Sequence, residues 1–304
     1  MKVLNFGSLN LDYVYQVDHF VRAGETLSAR AQSVKAGGKG LNQSIALALS
    51  GAQVWHAGCI GQGGDSLCAL LTHHGIHTDF LCRKDTMQGN AIIQVNAAGE
   101  NCILLFGGSN QCITEEQIKE TLSAFSKGDY LILQNEVNLV ASMVDEAWKR
   151  GMRIVLNPSP YNEQLSGVDY SKLSWVLVNE IEAEQLTGHK DPEKAWGVIH
   201  ERYPKLSLLI TLGSAGSTAW SVHHGKVEHA SHEAFAVQAV DTTAAGDTFT
   251  GYFISALMES RPLKECMRRA AKAAAIAVTR PGAAESIPSL NELNDECIKE
   301  EKEL

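Results

Sequence analysis

The apolar pattern of this chain changes period again and again, and that alternation limits its fold more than any other feature. Lys2 to Phe6 is a short apolar run closed by Gly7, the pattern of a buried strand. Leu41, Ile45 and Ala48 then lie at i, i+4 and i+7 with Gly51 behind them, a helical stripe with a glycine stop. Ala52 to Cys59 reads as strand again, and Leu67, Leu70 and Leu71 before Gly75 read as helix. Thr114-Glu115-Glu116-Gln117 has the form of a capping box, with Ile118, Leu122 and Phe125 on one face after it and Gly128 beyond. Tyr130 to Leu133, Arg153 to Leu156, Trp175 to Val178 and Leu206 to Leu212 are further apolar strands, and Val140 to Trp148 is helical. Strands that alternate with helices imply right-handed βαβ crossovers and an α/β fold, a mostly parallel central sheet with helices on both faces.

Two stretches break the rhythm. Tyr13 to Phe20 is β-branched and aromatic with no helix after it, and Ala91 to Val95 with Cys102 to Phe106 reads as a hairpin around Asn96 to Asn101. Such strands do not fit a helix-covered parallel sheet, so they are expected to form a small β-sheet lid drawn from about residues 13–34 and 89–106. No repeat, low-complexity run or long linker separates the two parts. The 304 residues are therefore expected to form a single unit, 1–304, rather than sequential domains.

Charge and composition exclude several function classes. With 26 Lys+Arg against 35 Asp+Glu the net charge is −9, unsuited to coating nucleic acid. A hydrophobic fraction of 44% rules out disorder as the main state. No run approaches the ~18 apolar residues of a membrane span, and the N-terminal apolar run is broken too early for a signal peptide. Seven cysteines, an odd number without a C-x-x-C pair, suit reduced thiols in a cytoplasmic protein. His223, His224, His229 and His232 cluster around Gly225, which reads as a solvated hairpin rather than a metal site. Glu296 to Leu304, rich in Lys and Glu, is expected to be a solvated terminal helix.

The chemistry concentrates in a few strings. Asp241-Thr242-Thr243-Ala244-Ala245-Gly246-Asp247 follows a strand-like Ala234 to Val240 and opens a helix carrying Phe253, Ile254 and Leu257. Small residues at a helix start leave its first N–H groups open, and the helix dipole adds partial positive charge, a setting for a phosphoryl group in transfer. Asp247 at its mouth can accept a proton from an attacking hydroxyl. Gly37-Gly38-Lys39-Gly40 opens another helix without being a P-loop, because Gly40 follows Lys39. Thr211-Leu212-Gly213-Ser214-Ala215-Gly216 is either a hairpin turn or a backbone cradle for phosphates. Asn179-Glu180-Ile181-Glu182 and Asn10-Leu11-Asp12 lie at the carboxyl ends of strands, the edge where open α/β sheets bind ligands.

In this order the strings, from Gly7-Ser8-Leu9-Asn10-Leu11-Asp12 to Asp247, resemble the ribokinase/PfkB carbohydrate kinase family over almost the whole chain. The G-G-K-G-x-N-Q form at 37–43 is closer to the ribokinase branch than to the fructokinase or adenosine kinase branches, and Val278-Thr279-Arg280 with Gly282 and Ser286 is similar to its tail. The resemblance implies an ATP-dependent kinase acting on a primary hydroxyl of a pentose, most simply D-ribose, with nucleoside kinases or other sugar kinases of the family, or a non-catalytic sensor, as alternatives. Asp247 would then be the base, and the amides of Ala244, Ala245 and Gly246 an anion hole. Asn10, Asp12, Gly38, Lys39, Gly40, Asn42 and Glu136 would hold the sugar. Asn179, Thr211, Gly213, Ser214, Gly216, Gly246 and Ala271 would face ATP, and Asn179 with Glu182 would organise Mg²⁺.

The resemblance also implies a K⁺ site at Asp241, Thr243, Ala277, Arg280, Gly282 and Ser286, and a homodimer formed through the lid. For a nucleoside substrate, Tyr13, Tyr15 and Phe106 are the candidates to stack on the base. Three positions depart from the family pattern. Ala271, with Lys272 beside it, stands where His or Asn is frequent. Pro281 follows Arg280 where Lys is common. Tyr252 stands where a small residue is usual.

Overall fold

The structure, a computed structural model, describes residues 1–295; the expected terminal helix over 296–304 lies outside the described residues. The chain runs through β1 (Val3–Phe6), β2 (Asn10–Gln16), β3 (Ala31–Gly37), α1 (Lys39–Leu49), β4 (Val54–Gln62), α2 (Asp65–His73) and β5 (His77–Met87). The next part is β6 (Asn90–Val95), β7 (Asn101–Phe106), α3 (Glu115–Ser123), β8 (Tyr130–Gln134), α4 (Val140–Lys149), β9 (Arg153–Asn157) and β10 (Trp175–Asn179). It ends with α5 (Glu180–Thr187), α6 (Pro192–Arg202), β11 (Ser207–Thr211), β12 (Ser217–His223), β13 (Lys226–His232), α7 (Ala245–Met258), α8 (Leu263–Val278) and α9 (Leu290–Asp295).

Nine strands form one sheet in the order β13-β12-β11-β10-β9-β8-β1-β4-β5, parallel from β11 to β5 and closed by the antiparallel β12 and β13. Successive strand residues enter opposite cores. Val3 and Ile132 pack with the helices α1, α7 and α8, whereas Leu4, Leu131 and Leu133 pack with α3 and α4. A sheet buried on both faces by helices is the doubly covered parallel arrangement that the alternating periods predict. The smaller sheet has the order β3-β2-β6-β7, with β2 and β6 parallel and the outer pairs antiparallel.

Local departures have local causes. Ala234 to Val240 forms no strand; it runs as irregular chain along a cavity, and its apolar residues line that cavity instead of a ladder. The edge strand β5 mixes charged and apolar residues, which hides it from a search for apolar runs. At α3 only half of the capping box forms. Thr114 Oγ1 accepts from Gln117 N at 3.3 Å, but the Gln117 side chain turns inward and donates to Gly58 O at 2.8 Å. The histidine-rich segment is the β12–β13 hairpin, where His229 stacks on Trp220 and its Nε2 lies 3.0 Å from Thr218 Oγ1.

Candidate active site

The site lies where the two sheets meet the N-termini of α1 and α7. Entry into α1 requires a sharp turn, and Gly38 provides it with φ 95°. Gly40 does not face the cleft; a Cβ there would collide with the backbone of Gly7 and Ser8, so its smallness lets α1 sit against the end of β1. Ser8 Oγ donates to Glu136 Oε2, and Lys39 N donates to the same oxygen at 2.9 Å, which ties the helix start to the loop after β8. Asp12 lies on β2 opposite Lys35 of β3, and its carboxylate lies over Gly37, where a side chain would collide with it.

Asp247 is the third residue of α7 and is 7% exposed. Its Oδ2 accepts from Asn42 Nδ2 at 3.0 Å and its Oδ1 from Gln43 Nε2 at 2.9 Å, so both oxygens are fixed by α1. The cap of α7, Ala244, has left-handed geometry with φ 60°, a strained choice for a residue with a Cβ. Ala245 N reaches Thr242 O at 3.3 Å. Gly246 N–H and Asp247 N–H, in the first helical turn, have no acceptor within the helix and remain available to an anion.

Hydrogen-bond direction sets what the asparagines offer a ligand. Asn110 Nδ2 donates to Asn10 Oδ1 at 2.7 Å, which leaves Asn10 Nδ2 as the donor available to a ligand. Asn42 Oδ1 is buried with no protein partner among the described residues, an acceptor that a ligand hydroxyl would satisfy. Asn110 is not visible as a site residue in the sequence, because its partners are Leu9 and Asn10, a hundred positions away in the chain. Ser8 and Gln43 are missed for the same reason.

The electrostatics are those of crowded carboxylates around one ammonium. Burial, then Glu136 and Glu285, pushes Asp12 up to about 6 against the pull of Lys35. Burial and Asp247 hold Glu136 above the usual carboxyl range, although Lys39 and the Ser8 hydroxyl oppose them. Burial alone would lower Lys39, but Asp247, Glu136 and Glu182 together raise it, so it stays charged.

Three cavities run in line through these residues. The first, about 810 Å³, is bounded by Asn10, Asp12, Gly38, Lys39, Asn42 and Glu136 on one side and by β-sheet residues such as Ile93 and Leu105 on the other. A narrow second cavity of about 80 Å³ shares Lys39 and Asp247 with it and adds Asn179 and Glu182. The third, about 500 Å³, shares Thr211 and Gly246 with the second; Gly213, Ser214 and Gly216 border it, and Phe235, Phe249 and Ala271 make it largely apolar. Thr211 to Gly216 connects the β11–β12 hairpin, one of the two readings its sequence allowed, and also lines the third cavity. Tyr13, Tyr15 and Phe106 are not part of the first cavity: alternation along β2 and β7 gives Asp12, Val14 and Leu105 to the cavity instead. None of the three candidates for stacking on a nucleoside base therefore lines that wall.

Asn179 and Glu182 form a complete capping box on α5. Glu182 N donates to Asn179 Oδ1 at 2.9 Å and Asn179 N donates to Glu182 Oε2 at 3.0 Å. This holds the Glu182 carboxylate, 6% exposed, at the narrow cavity with one oxygen not used by the box. Asp241 Oδ1 accepts from Thr243 N and Oγ1, and its Oδ2 from Gly282 N, joining the loop before α7 to the loop after α8. These bonds hold Asp241 below the usual range despite burial. Ala277 and Arg280 belong to the same turn, Arg280 N donating to Ala277 O at 3.1 Å. Ser286 is fully buried and donates to Ala283 O, and the Arg280 guanidinium turns out to Glu292. Tyr252 is a core residue whose hydroxyl donates to Pro288 O at 2.6 Å.

An open-amide helix start aimed at a buried carboxylate, between a polar cleft and an apolar slot, defines a small-molecule phosphotransferase of the α/β kinase class. The sequence profile described as pfkB family carbohydrate kinase matches residues 1–290, and the chain belongs to that family. A ribokinase from Haemophilus influenzae is 37% identical over 296 residues, covering 94% of this chain and 95% of that protein. A deoxyribokinase from Salmonella typhi is 31% identical, covering 97% of this chain and 98% of its own length. Among solved structures, ribokinase from Cryptococcus neoformans in complex with ADP superposes with a TM-score of 0.84 at 34% identity, covering 97% of this chain and 99% of that one. The chain is an ATP-dependent sugar kinase.

Proposed function

We propose that the protein transfers the γ-phosphoryl group of ATP to the primary hydroxyl of a pentose, D-ribose, giving ribose 5-phosphate. The observation that carries this reading is the run of adjoining cavities, in which Asp247 borders the first two and Gly246 beside it borders the second and third. The sugar occupies the first. Asn10 Nδ2 donates to a hydroxyl oxygen, while Asp12, Glu136 and Asn42 Oδ1 accept hydroxyl protons, so a buried polyol finds partners. Asp247 takes the proton of the attacking hydroxyl, and Gly246 N–H and its neighbours receive the charge on the transferring group. Lys39, shared by the first two cavities, remains charged beside that path. ATP lies with its base in the apolar slot beside Ala271 and its phosphates along Gly213 to Gly216 and the start of α7.

Such a transfer needs a divalent cation, and a bound magnesium ion would supply neutralisation of phosphate charge. The residues fit it in a particular way. Among the described residues no group of three or more His, Cys, Asp or Glu is placed to hold a metal. Asn179 and the available Glu182 oxygen would therefore hold the ion through waters, with the phosphates supplying the remaining oxygens. The all-oxygen set at Asp241, Thr243 and the neighbouring carbonyls suits a potassium ion that would brace the loop before α7. The aliphatic wall of the first cavity favours a sugar over a nucleoside, whose base would need a stacking partner. A reducing, cytoplasmic setting agrees with six free cysteines among the described residues.

ADP release measured over ribose, deoxyribose, fructose, adenosine and pseudouridine tests this reading. Ribose is expected to give the highest kcat/KM, and faster turnover of deoxyribose or a nucleoside would replace it as the substrate. Repeating the ribose assay with K⁺ exchanged for a bulky organic cation is expected to lower the rate, and an unchanged rate would discard the ion.

A further inference from the structure

Behind Asp247 lies a chain of buried polar side chains of which only Asn157 lines one of the three cavities. Gln43 Nε2, besides its bond to Asp247 Oδ1, lies 3.3 Å from Asn157 Oδ1, and Gln43 Oε1 accepts from Gln134 Nε2 at 2.7 Å. Gln134 Nε2 also donates to Asn5 Oδ1 at 2.9 Å. Asn5 Nδ2 donates to Gly40 O and to Ser44 Oγ, both at 2.8 Å, and Ser44 Oγ lies 2.8 Å from His56 Nδ1. Asn5, Gln43, Ser44, Gln134 and His56 are all fully buried on β1, α1, β8 and β4.

The directions in this chain are forced. Gln134 spends both N–H groups on amide oxygens, so neither Gln43 nor Asn5 can flip without setting donor against donor. Asn5 in turn spends both of its N–H groups. The Ser44 hydroxyl is left to donate to His56 Nδ1, since burial pushes that imidazole down to about 3 and keeps it neutral. Gln43 therefore has to present N–H, not oxygen, to Asp247. Five buried polar side chains add no stability that apolar residues of the same shape would lack. Their orientation of one carboxylate is the effect an apolar layer cannot supply.

We propose that Gln43 and, through it, Gln134 are positioning residues for phosphoryl transfer, locking the rotamer of the Asp247 carboxylate. The inference rests on Asp247 being the base. The ionisable groups around Asp247 are Lys39 on α1 and Glu136 after β8, with Glu182 on the second cavity and Asp12, Lys35 and Asp241 on the first, and all are kept in the variants.

The test is the pH dependence of kcat, with KM for sugar and ATP, in Gln43→Leu and Gln134→Met, alongside Asp247→Asn. A hydrogen bond to a charged group contributes roughly 1.5–3 kcal/mol, so Gln43→Leu is expected to lower kcat about ten- to a hundredfold. Both KM values should stay within about twofold, and the acid limb of the kcat profile should move to higher pH. Gln134→Met keeps the volume and does not touch Asp247; it should shift the same limb in the same direction by less. Should Gln43→Leu not fold, Gln134→Met alone decides. A folded variant with an unmoved acid limb, whatever its thermal stability, overturns the inference. Asp247→Asn separates the two ideas: if it retains turnover, the base assignment fails; if it is inactive while the glutamine variants leave the profile unmoved, only the positioning role fails.

Discussion

In the proposed sugar site a single side chain, Asp12, would carry both recognition and pH response. Its carboxyl, raised to about 6 mainly by burial, is ionised at neutral pH and would accept hydroxyl protons from the sugar. Below that value it is protonated and one acceptor is lost. We therefore expect kcat/KM for the sugar to fall as the pH drops below about 6, approaching about tenfold per unit, while KM for ATP is unchanged. Asp12→Asn should raise the sugar KM and flatten that limb, and a limb that survives the substitution would assign it elsewhere. Asp12, like Asn10, Lys39 and Asp247, is legible in the sequence because it sits in a short string at a strand end or helix start. Gln134 and Asn110 are not, and Gln43 and Ser8, though inside such strings, carry no mark of what they touch. A buried amide looks like any other polar residue until its partner, 91 to 204 positions distant for Gln43, is known to lie beside it.

At the scale of elements, the site depends on how closely α1 and α7 approach each other. Gly251 of α7 faces α1, and a Cβ there would collide with Ala46 Cβ and lie 2.8 Å from Leu47 N. Gly251→Ala is expected to cost about 1–3 kcal/mol through overpacking, read as a lower Tm in a thermal melt. Because α1 carries Asn42 and Gln43 and α7 carries Asp247, kcat should fall as well; a wild-type Tm would show that the contact relaxes freely. The helix starts at Gly38 and Ala244 follow from small residues before apolar stripes, which periodicity exposes. The edge strand β5 and the irregular course of Ala234 to Val240 do not. Both depend on neighbours: β5 on pairing with β4, and 234–240 on a cavity that leaves its backbone without a ladder. The capping box at Asn179 is complete, whereas that at Thr114 gives up its Gln117 arm to Gly58 O.

For the whole molecule, the two faces of the small sheet have opposite characters. One cross-strand row, Lys35, Asp12, Ala91 and Leu105, faces the cleft, and the next, Val34, Tyr13, Ile92 and Leu104, is apolar and faces outward. Leu104 is 67% exposed and Phe106 54%, a patch unusual for a lone monomer. We propose that two copies pair through this face, with the small sheet serving as both lid and interface. Sedimentation should give twice the 32.9 kDa chain mass, and Leu104→Glu should return it to the monomer; a monomeric wild type would discard the dimer. The net charge of −9 does not argue against the proposed phosphate binding, which would use helix-end amides and Lys39 rather than the outer surface. The central claim, transfer to a primary hydroxyl beside Asp247, is tested most directly by proton-coupled ³¹P NMR of the product formed from ATP and ribose. A primary phosphomonoester couples to two methylene protons, so the account predicts a new triplet with the ADP resonances. A doublet, from a secondary hydroxyl, or ADP appearing with inorganic phosphate alone, would contradict it.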